Sequence, residues 1–173
     1  MTRVVVLAWG NESRGDDALG PLFLEAAEAI AGELGGDFAF VGDYQLQPEH
    51  ATDLLDRDLA LFVDASRTLD APFALREIEA RRDATFTTHG MSAEAVLAAY
   101  VAAFGTDPPP AFELAIRGEA FALGAGLSAS ARSALEGAVA LFARLAAHPS
   151  ADAWRALQRE VTRGDDRISA AAG

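Results

Sequence analysis

The stretch that decides the fold is VVVLAWGNESRGDDALG, residues 4–20. It opens with an uninterrupted apolar run, which is typical of a strand buried on both faces of a parallel sheet. The run ends at Gly10-Asn11, a pair that favours a turn, and the apolar residues after Gly20 recur at helical spacing. The chain therefore passes from a buried strand through a loop into a helix. In open α/β sheets the crevice beyond such a strand end binds ligands.

Two adjacent acids, Asp16 and Asp17, stand at the predicted helix start. Asp is favoured at the N-cap, acids in the first turn suit the helix dipole, and Pro21 fits a first turn. One N-cap position takes one residue, so capping is expected for one of the pair. The other is then available for chemistry.

The glycines of this stretch do not form a nucleotide-binding motif. Gly10, Gly15 and Gly20 do not match G-x-G-x-x-G, and no G-K-[ST] follows them. Acids at a helix start would also repel a phosphate. The loop therefore favours a cation or a positively charged group.

The rest of the chain alternates strands with helices. Apolar runs predict strands at 38–41, 59–63 and 112–116, and an edge strand, expected to be antiparallel, within 72–78. Helices are predicted at 18–31, 48–55, 92–104, 129–147 and 151–161. This order predicts an α/β three-layer sandwich, in which a mostly parallel twisted sheet of about five strands has helices on both faces. Residues 1–162 are expected to form a single domain, followed by a disordered tail at 163–173.

Composition limits the partners and the chemistry. The formal net charge of −12 makes nucleic acid and anionic membranes poor partners. The absence of cysteine excludes disulfides, thiolate metal sites and a cysteine nucleophile. No apolar run is long enough to span a bilayer, and the N-terminus lacks a signal-peptide pattern, so a cytoplasmic location is expected.

Asp64 and His89 are the other candidate functional residues. Asp64 ends the apolar run at 59–63, so it is expected at the same sheet edge as Asp17, unless it only turns the chain. His89 lies in a loop before a helix, where a structural role is the alternative. Together, Asp17, Asp64 and His89 could form an open site for a divalent ion such as nickel, zinc, cobalt or manganese. No H-E-x-x-H motif exists, which excludes a standard zincin.

Two other hydrolase mechanisms are weaker alternatives. A serine hydrolase could use Ser13, Ser66 or Ser92 with His89 as base, but there is no G-x-S-x-G elbow. An aspartic dyad could pair Asp64 with an acid of the first loop. Its usual D-[TS]-G context is only approximated, by Asp64-Ala65-Ser66.

At these residues the sequence resembles the nickel-iron hydrogenase maturation endopeptidases. That family opens with a strand followed by G-N-x-x-x-x-D-[DE]-x-x-G, which matches Gly10-Asn11 through Asp16-Asp17 to Gly20. It has an Asp after a later strand, matched by Asp64, and a His before a helix, matched by His89. The segments 45–49 and 124–128 also resemble it, so the resemblance covers about residues 4–147.

The resemblance implies an endopeptidase, classed in the family as aspartic-type, that removes a C-terminal peptide from the precursor of a hydrogenase large subunit. The precursor is the expected partner and carries the nickel; zinc or cadmium can take the place of nickel in the isolated protein. By this resemblance, Asp17, Asp64 and His89 correspond to the residues that contact the metal and act in catalysis. Asp16 corresponds to the acid that precedes the first of them, which is a loop or cap residue. A non-catalytic module that binds the precursor's tail and a related-fold protease with another substrate are the alternatives.

Overall fold

The computed structural model describes residues 1–81 and 90–171, with side chains described through Gly164. Within these residues five strands form one sheet in the order β2-β1-β3-β5-β4. The neighbours β2, β1, β3 and β5 are parallel, and the edge strand β4 is antiparallel to β5, as predicted. The strands are β1 (Arg3–Trp9), β2 (Asp37–Asp43), β3 (Leu59–Ser66), β4 (Phe73–Ile78) and β5 (Ala111–Arg117).

Four α-helices accompany this sheet in the described part of the chain. The predicted N-caps are confirmed for two of them, because the hydroxyl of Ser92 accepts a hydrogen bond from the Ala95 N–H and that of Ser128 accepts one from the Ala131 N–H. None of the helices described is long and apolar enough to cross a membrane. The helices are α1 (Leu19–Leu34), α2 (Ala93–Phe104), α3 (Ala129–Ala147) and α4 (Ala151–Ala171), with short 3-10 helices at Gly15–Ala18 and Pro48–Leu54.

The sheet is covered on both faces, which confirms the three-layer sandwich. Alternate residues of β1 point to opposite sides: Val4 and Val6 pack in a core formed with α1, α3 and α4, whereas Val5 and Leu7 pack in a core formed with α2 and the 3-10 helix Pro48–Leu54. All four side chains are 0–1% exposed. The apolar run of β1 therefore reflects burial on two faces rather than one.

The last helix, α4, closes the first of these cores. Trp154 is fully buried, and its indole N–H donates a 3.0 Å hydrogen bond to the carbonyl oxygen of Leu145 at the end of α3. The helix continues past residue 162. The division into a domain of residues 1–162 and a disordered tail stays a prediction.

Candidate active site

The loop between β1 and α1 is compact because two glycines permit close backbone contacts. Gly10 has φ of +150°, and a Cβ added there would lie 2.0 Å from the carbonyl oxygen of Asp17. A Cβ on Gly20 would lie 2.2 Å from the carbonyl oxygen of Trp9. Any larger residue would push the helix start away from the strand end. The glycines thus hold Asp17 next to the carboxyl end of β1.

Asp16 is fully buried and anchors a distant loop. Its carboxylate accepts hydrogen bonds from the N–H groups of Glu119 (2.7 Å), Ala120 (2.9 Å) and Ser128 (2.7 Å), and from the Ser128 hydroxyl (2.7 Å). Burial by itself raises the pKa of Asp16, but these four donors outweigh it and the pKa is lowered. Asp16 therefore joins the start of α1 to the loop between β5 and α3.

The expectation that one aspartate caps the helix is wrong. The residues at the N-cap positions of the 3-10 helix Gly15–Ala18 and of α1 are Arg14 and Ala18, and neither provides a side-chain cap. The local capping role is lost because Asp16 is used for the long-range contacts. Asp16 is neither a cap nor a loop residue: it lies within the 3-10 helix, and its carboxylate binds the loop between β5 and α3.

Asp17 has different surroundings from Asp16. One of its carboxylate oxygens, Oδ2, accepts a 2.7 Å hydrogen bond from the N–H of Asn11, which fixes the side chain against the loop. Among the described residues no donor is bonded to its other oxygen, Oδ1. The side chain lines a cavity at the carboxyl edge of the sheet. Asp17 is thus oriented by the loop, and within the described residues its Oδ1 is left for a ligand.

Asp64 lies inside β3 rather than after it. The strand continues to Ser66, and Asp64 pairs in register with Ala115 of β5. The alternative that Asp64 merely turns the chain is therefore wrong. Burial, and then the negative charges of Glu113 and Asp17, raise the pKa of Asp64 to about 7, although a hydrogen bond from the Ala65 backbone opposes the shift. A carboxyl group with this pKa can take up and release a proton near neutral pH.

Asp17 and Asp64 line the same cavity, which has a volume of about 890 Å³. Its wall combines three aromatic rings with two acidic and two basic side chains. The Arg67 guanidinium carbon lies 3.9 Å from the centroid of the Phe121 ring, and this contact holds the two side chains together. The lining residues are Trp9, Asn11, Arg14, Asp17, Tyr44, Gln45, Asp64, Ala65, Arg67 and Phe121.

No family model and no curated protein matches the chain. Several solved structures match the fold of the chain. The hydrogenase maturating endopeptidase HybD from E. coli superimposes with a TM-score of 0.62 at 20% identity, covering 80% of this chain and 88% of its own. A [NiFe] hydrogenase maturation protease, HycI from Thermococcus kodakarensis KOD1, gives 0.61 at 23%, covering 84% and 92%. The hydrogenase 2 maturation peptidase from a Thaumarchaeota archaeon gives 0.57 at 22%, covering 81% and 95%.

The chain has the hydrogenase maturation protease fold. This confirms the resemblance at the level of the fold. In this fold the first strand and its loop are the element that carries Asp17, and the neighbouring parallel strand β3 carries Asp64. The two acids therefore lie at the same carboxyl edge of the sheet, and their role as metal contacts stays a prediction.

The third predicted ligand, His89, lies outside the described residues, so its position relative to Asp17 and Asp64 stays a prediction. In residues 1–81 and 90–171 no three His, Cys, Asp or Glu side chains are grouped to hold a metal ion. His50 contacts residues that do not line the cavity. Its Nδ1 accepts a 2.9 Å hydrogen bond from the N–H of Gln47, and its Nε2 lies 3.3 Å from a carboxylate oxygen of Asp43. His148 ends α3 and does not line the cavity.

The serine-hydrolase alternative loses support. Ser92 is the N-cap of α2, and neither it nor Ser13 nor Ser66 is among the described residues that line the cavity. The aspartic-dyad alternative stays open, since Asp17, an acid of the first loop, lines the cavity together with Asp64.

The cavity also contains residues that the sequence did not single out. Trp9 and Tyr44 follow or end adjacent parallel strands, so their position at the carboxyl edge could have been read from the strand assignments. Phe121 gave a weaker signal, as a single aromatic residue in a loop of small residues. Its contact with Arg67 joins the segments after β3 and β5, which only the fold brings together.

Proposed function

We propose that the chain is a hydrogenase maturation endopeptidase, which removes a C-terminal peptide from the nickel-loaded precursor of a nickel-iron hydrogenase large subunit. The observation that carries the proposal is the pair Asp17 and Asp64, which line one cavity at the carboxyl edge of the maturation-protease fold. His89 is proposed as their third partner, on the sequence motif alone. The nickel belongs to the substrate.

The paired carboxylates suit recognition of a metal on the substrate. Asp64 is partly buried and is repelled by Asp17 and Glu113, so a divalent cation in the cavity would offset an unfavourable concentration of negative charge. A precursor without nickel would lose the coordinate bonds to these side chains and bind more weakly. Zinc or cadmium would take the same place in the isolated protein, because both accept carboxylate and imidazole ligands.

Peptide hydrolysis also requires a group that takes a proton from the attacking water. A cavity carboxylate can serve as that general base if it lies within hydrogen-bond reach of the water. In this proposal one carboxylate provides binding and base catalysis at different stages, or the two divide these roles. The aspartic-type classification of the family agrees with either arrangement.

The test is the mass of a hydrogenase large-subunit precursor, nickel-loaded or nickel-free, after incubation with the protein. The wild type should shorten the loaded precursor and leave the nickel-free one intact. Asp17→Ala, Asp64→Ala and His89→Ala should each abolish processing, whereas Asp107→Ala, an exposed acid in the segment before β5, should not. Full processing by the triple variant would remove the proposed site.

Two other outcomes identify the alternatives. A stable complex with the loaded precursor, whose mass does not change, would make the protein a non-catalytic binding module. Cleavage of unrelated C-terminal tails in preference to the precursor would make it a related-fold protease with another substrate. The cytoplasmic location stays a prediction, which fractionation of the producing cell would check.

A further inference from the structure

The basic side of the cavity is not explained by metal recognition. Arg14 and Arg67 line the same cavity as Asp17 and Asp64, yet in the part of the chain that is described neither guanidinium lies within ion-pair distance of a carboxylate. Arg67 instead lies over the Phe121 ring.

The chain has 26 acidic and 14 basic residues, so carboxylates outnumber arginines. Some arginines outside the cavity pair with a carboxylate, as Arg3 does with Asp58 at 3.0 Å. Others, such as Arg132, form no ion pair within the described residues, so it is their place in the cavity that distinguishes the two arginines. Within residues 1–81 and 90–164, therefore, no carboxylate forms an ion pair with the positive charge at the cavity. It is available to an anionic group that enters the cavity.

The stacking of Arg67 on Phe121 also prepares the guanidinium for a ligand. A guanidinium held over a ring by its flat face keeps its N–H groups at its edges, where they match the two oxygens of a carboxylate. The ring limits the rotamers of a long side chain, so less entropy is lost when the ligand binds. The contact itself uses none of the five N–H donors for a hydrogen bond.

We propose that Arg67, oriented by Phe121 and assisted by Arg14, binds a carboxylate of the peptide substrate. The inference rests on the proposed function and extends it: Asp17 and Asp64 bind the cationic centre of the precursor, while the arginines bind an anionic group of its peptide. A carboxylate is favoured over a phosphate because a dianion would be repelled by the two aspartates of the same cavity. The carboxylate belongs either to the end of the tail or to one of its Asp or Glu side chains.

The test measures binding of tail peptides from the hydrogenase precursor in three forms: unmodified, with a C-terminal amide, and with Asp and Glu replaced by Asn and Gln. The wild type should bind one of the two neutralised forms about 10- to 100-fold more weakly than the unmodified peptide, which identifies the carboxylate. Arg67→Gln should bind the unmodified peptide as weakly as that form and be indifferent to the neutralisation. Arg67→Lys should recover part of the affinity, and Phe121→Leu should lose part of it.

Arg132→Gln is the matched control, since Arg132 is exposed on α3 and does not line the cavity. It should bind every peptide as the wild type does. The inference is overturned if wild type and Arg67→Gln respond equally to neutralisation, or if the wild type binds no form of the peptide.

Processing of the whole precursor separates this inference from the proposed function. Arg67→Gln should raise KM about 10- to 100-fold and leave kcat within about twofold, because in this proposal the guanidinium binds a carboxylate of the peptide and not the bond that is cleaved. Carboxylate-dependent peptide binding without cleavage would support the inference and overturn the proposed function. Cleavage by the wild type with no effect of Arg67→Gln on KM would support the proposed function and overturn the inference.

Discussion

Asp16 and Ser128 are joined by two hydrogen bonds of 2.7 Å, one from the backbone N–H and one from the hydroxyl, although 112 residues separate them in the chain. The same Ser128 hydroxyl accepts a hydrogen bond from the N–H of Ala131 and so begins α3. The start of α1 and the start of α3 are therefore fixed to each other. The loop that carries Phe121 is held against the loop that carries Asp17.

We predict that Asp16→Asn costs about 1–3 kcal/mol in the free energy of unfolding. An amide accepts only at its oxygen, and with that oxygen at the Oδ2 position the NH2 group would face the N–H of Ser128. An unpaired buried donor costs about 1–3 kcal/mol. Urea unfolding at pH 7.5 measures the loss. Asp17→Asn is the control and should cost much less, because one hydrogen bond from Asn11 is at stake. Equal costs for the two variants would contradict the role given to Asp16.

The lowered pKa of Asp16 determines how its contribution to folding stability changes with pH. Its stabilising contribution is present above the unfolded pKa of 3.8 and is lost as pH falls through the lower folded value. The stability difference between wild type and Asp16→Asn should therefore narrow only in strong acid. Thermal unfolding at pH 3 and pH 7 would check this.

We predict that Gly10→Ala destabilises the protein by more than about 2 kcal/mol and disturbs Asp17. The added Cβ would collide with the backbone of Asp17 at 2.0 Å, and a φ of +150° is unfavourable for alanine. Gly32→Ala is the control in α1, where a Cβ meets no atom within 4 Å. It should stabilise the protein by about 0.5–1 kcal/mol. A Gly10→Ala protein as stable as the wild type would mean that the loop has room to move.

The strands and helix starts were predictable from the sequence because their causes are local. The continuous apolar run at 4–8 predicted a strand buried on two faces, and Ser92 and Ser128 predicted helix starts by their hydroxyls. The antiparallel edge strand was also predicted, from alternation within 72–78. Each of these features depends on residues within a few positions of one another.

The role of Asp16 was not predictable in the same way. An acid at a helix start fits capping by its neighbours, and nothing near it shows that donors from Glu119, Ala120 and Ser128 will satisfy it. The stacking of Arg67 on Phe121 was missed for the same reason, since it needs the crossover that brings β3 and β5 together. Asp17 and Asp64 were found because a parallel sheet gathers strand ends at one edge, which sequence order alone implies.

We predict that Asp64→Asn stabilises the protein at alkaline pH. In the folded protein Asp64 keeps its proton up to about pH 7, whereas the unfolded chain releases it near 3.8, so folding becomes less favourable as pH rises between these values. Asparagine carries no such penalty. At about 1.36 kcal/mol per pK unit, the advantage of the variant should grow by about 3 kcal/mol between pH 5 and pH 8.

Denaturant unfolding of both proteins at the two pH values checks this prediction, and Asp107→Asn serves as the exposed control. A gain in stability combined with a loss of processing would mark Asp64 as a residue kept for function at the expense of stability. An advantage that is the same at pH 5 and pH 8 would mean that the carboxyl group does not titrate as described.

We predict that Arg76→Leu destabilises the protein at pH 8 by about 2 kcal/mol. Arg76 donates hydrogen bonds to Glu94 at 2.7 Å and to Glu113 at 3.0 Å, and its loss would leave two largely buried carboxylates facing each other. The loss should be smaller at pH 5, because burial already raises the pKa of Glu113 and removal of the arginine raises it further, so protonation relieves the repulsion.

Arg144→Leu, which breaks an exposed pair with Glu160, should cost less than about 1 kcal/mol at both pH values. Adding Glu113→Gln to Arg76→Leu should restore most of the stability at pH 8; a double variant no more stable than Arg76→Leu would show that the arginine acts by packing and not by its charge.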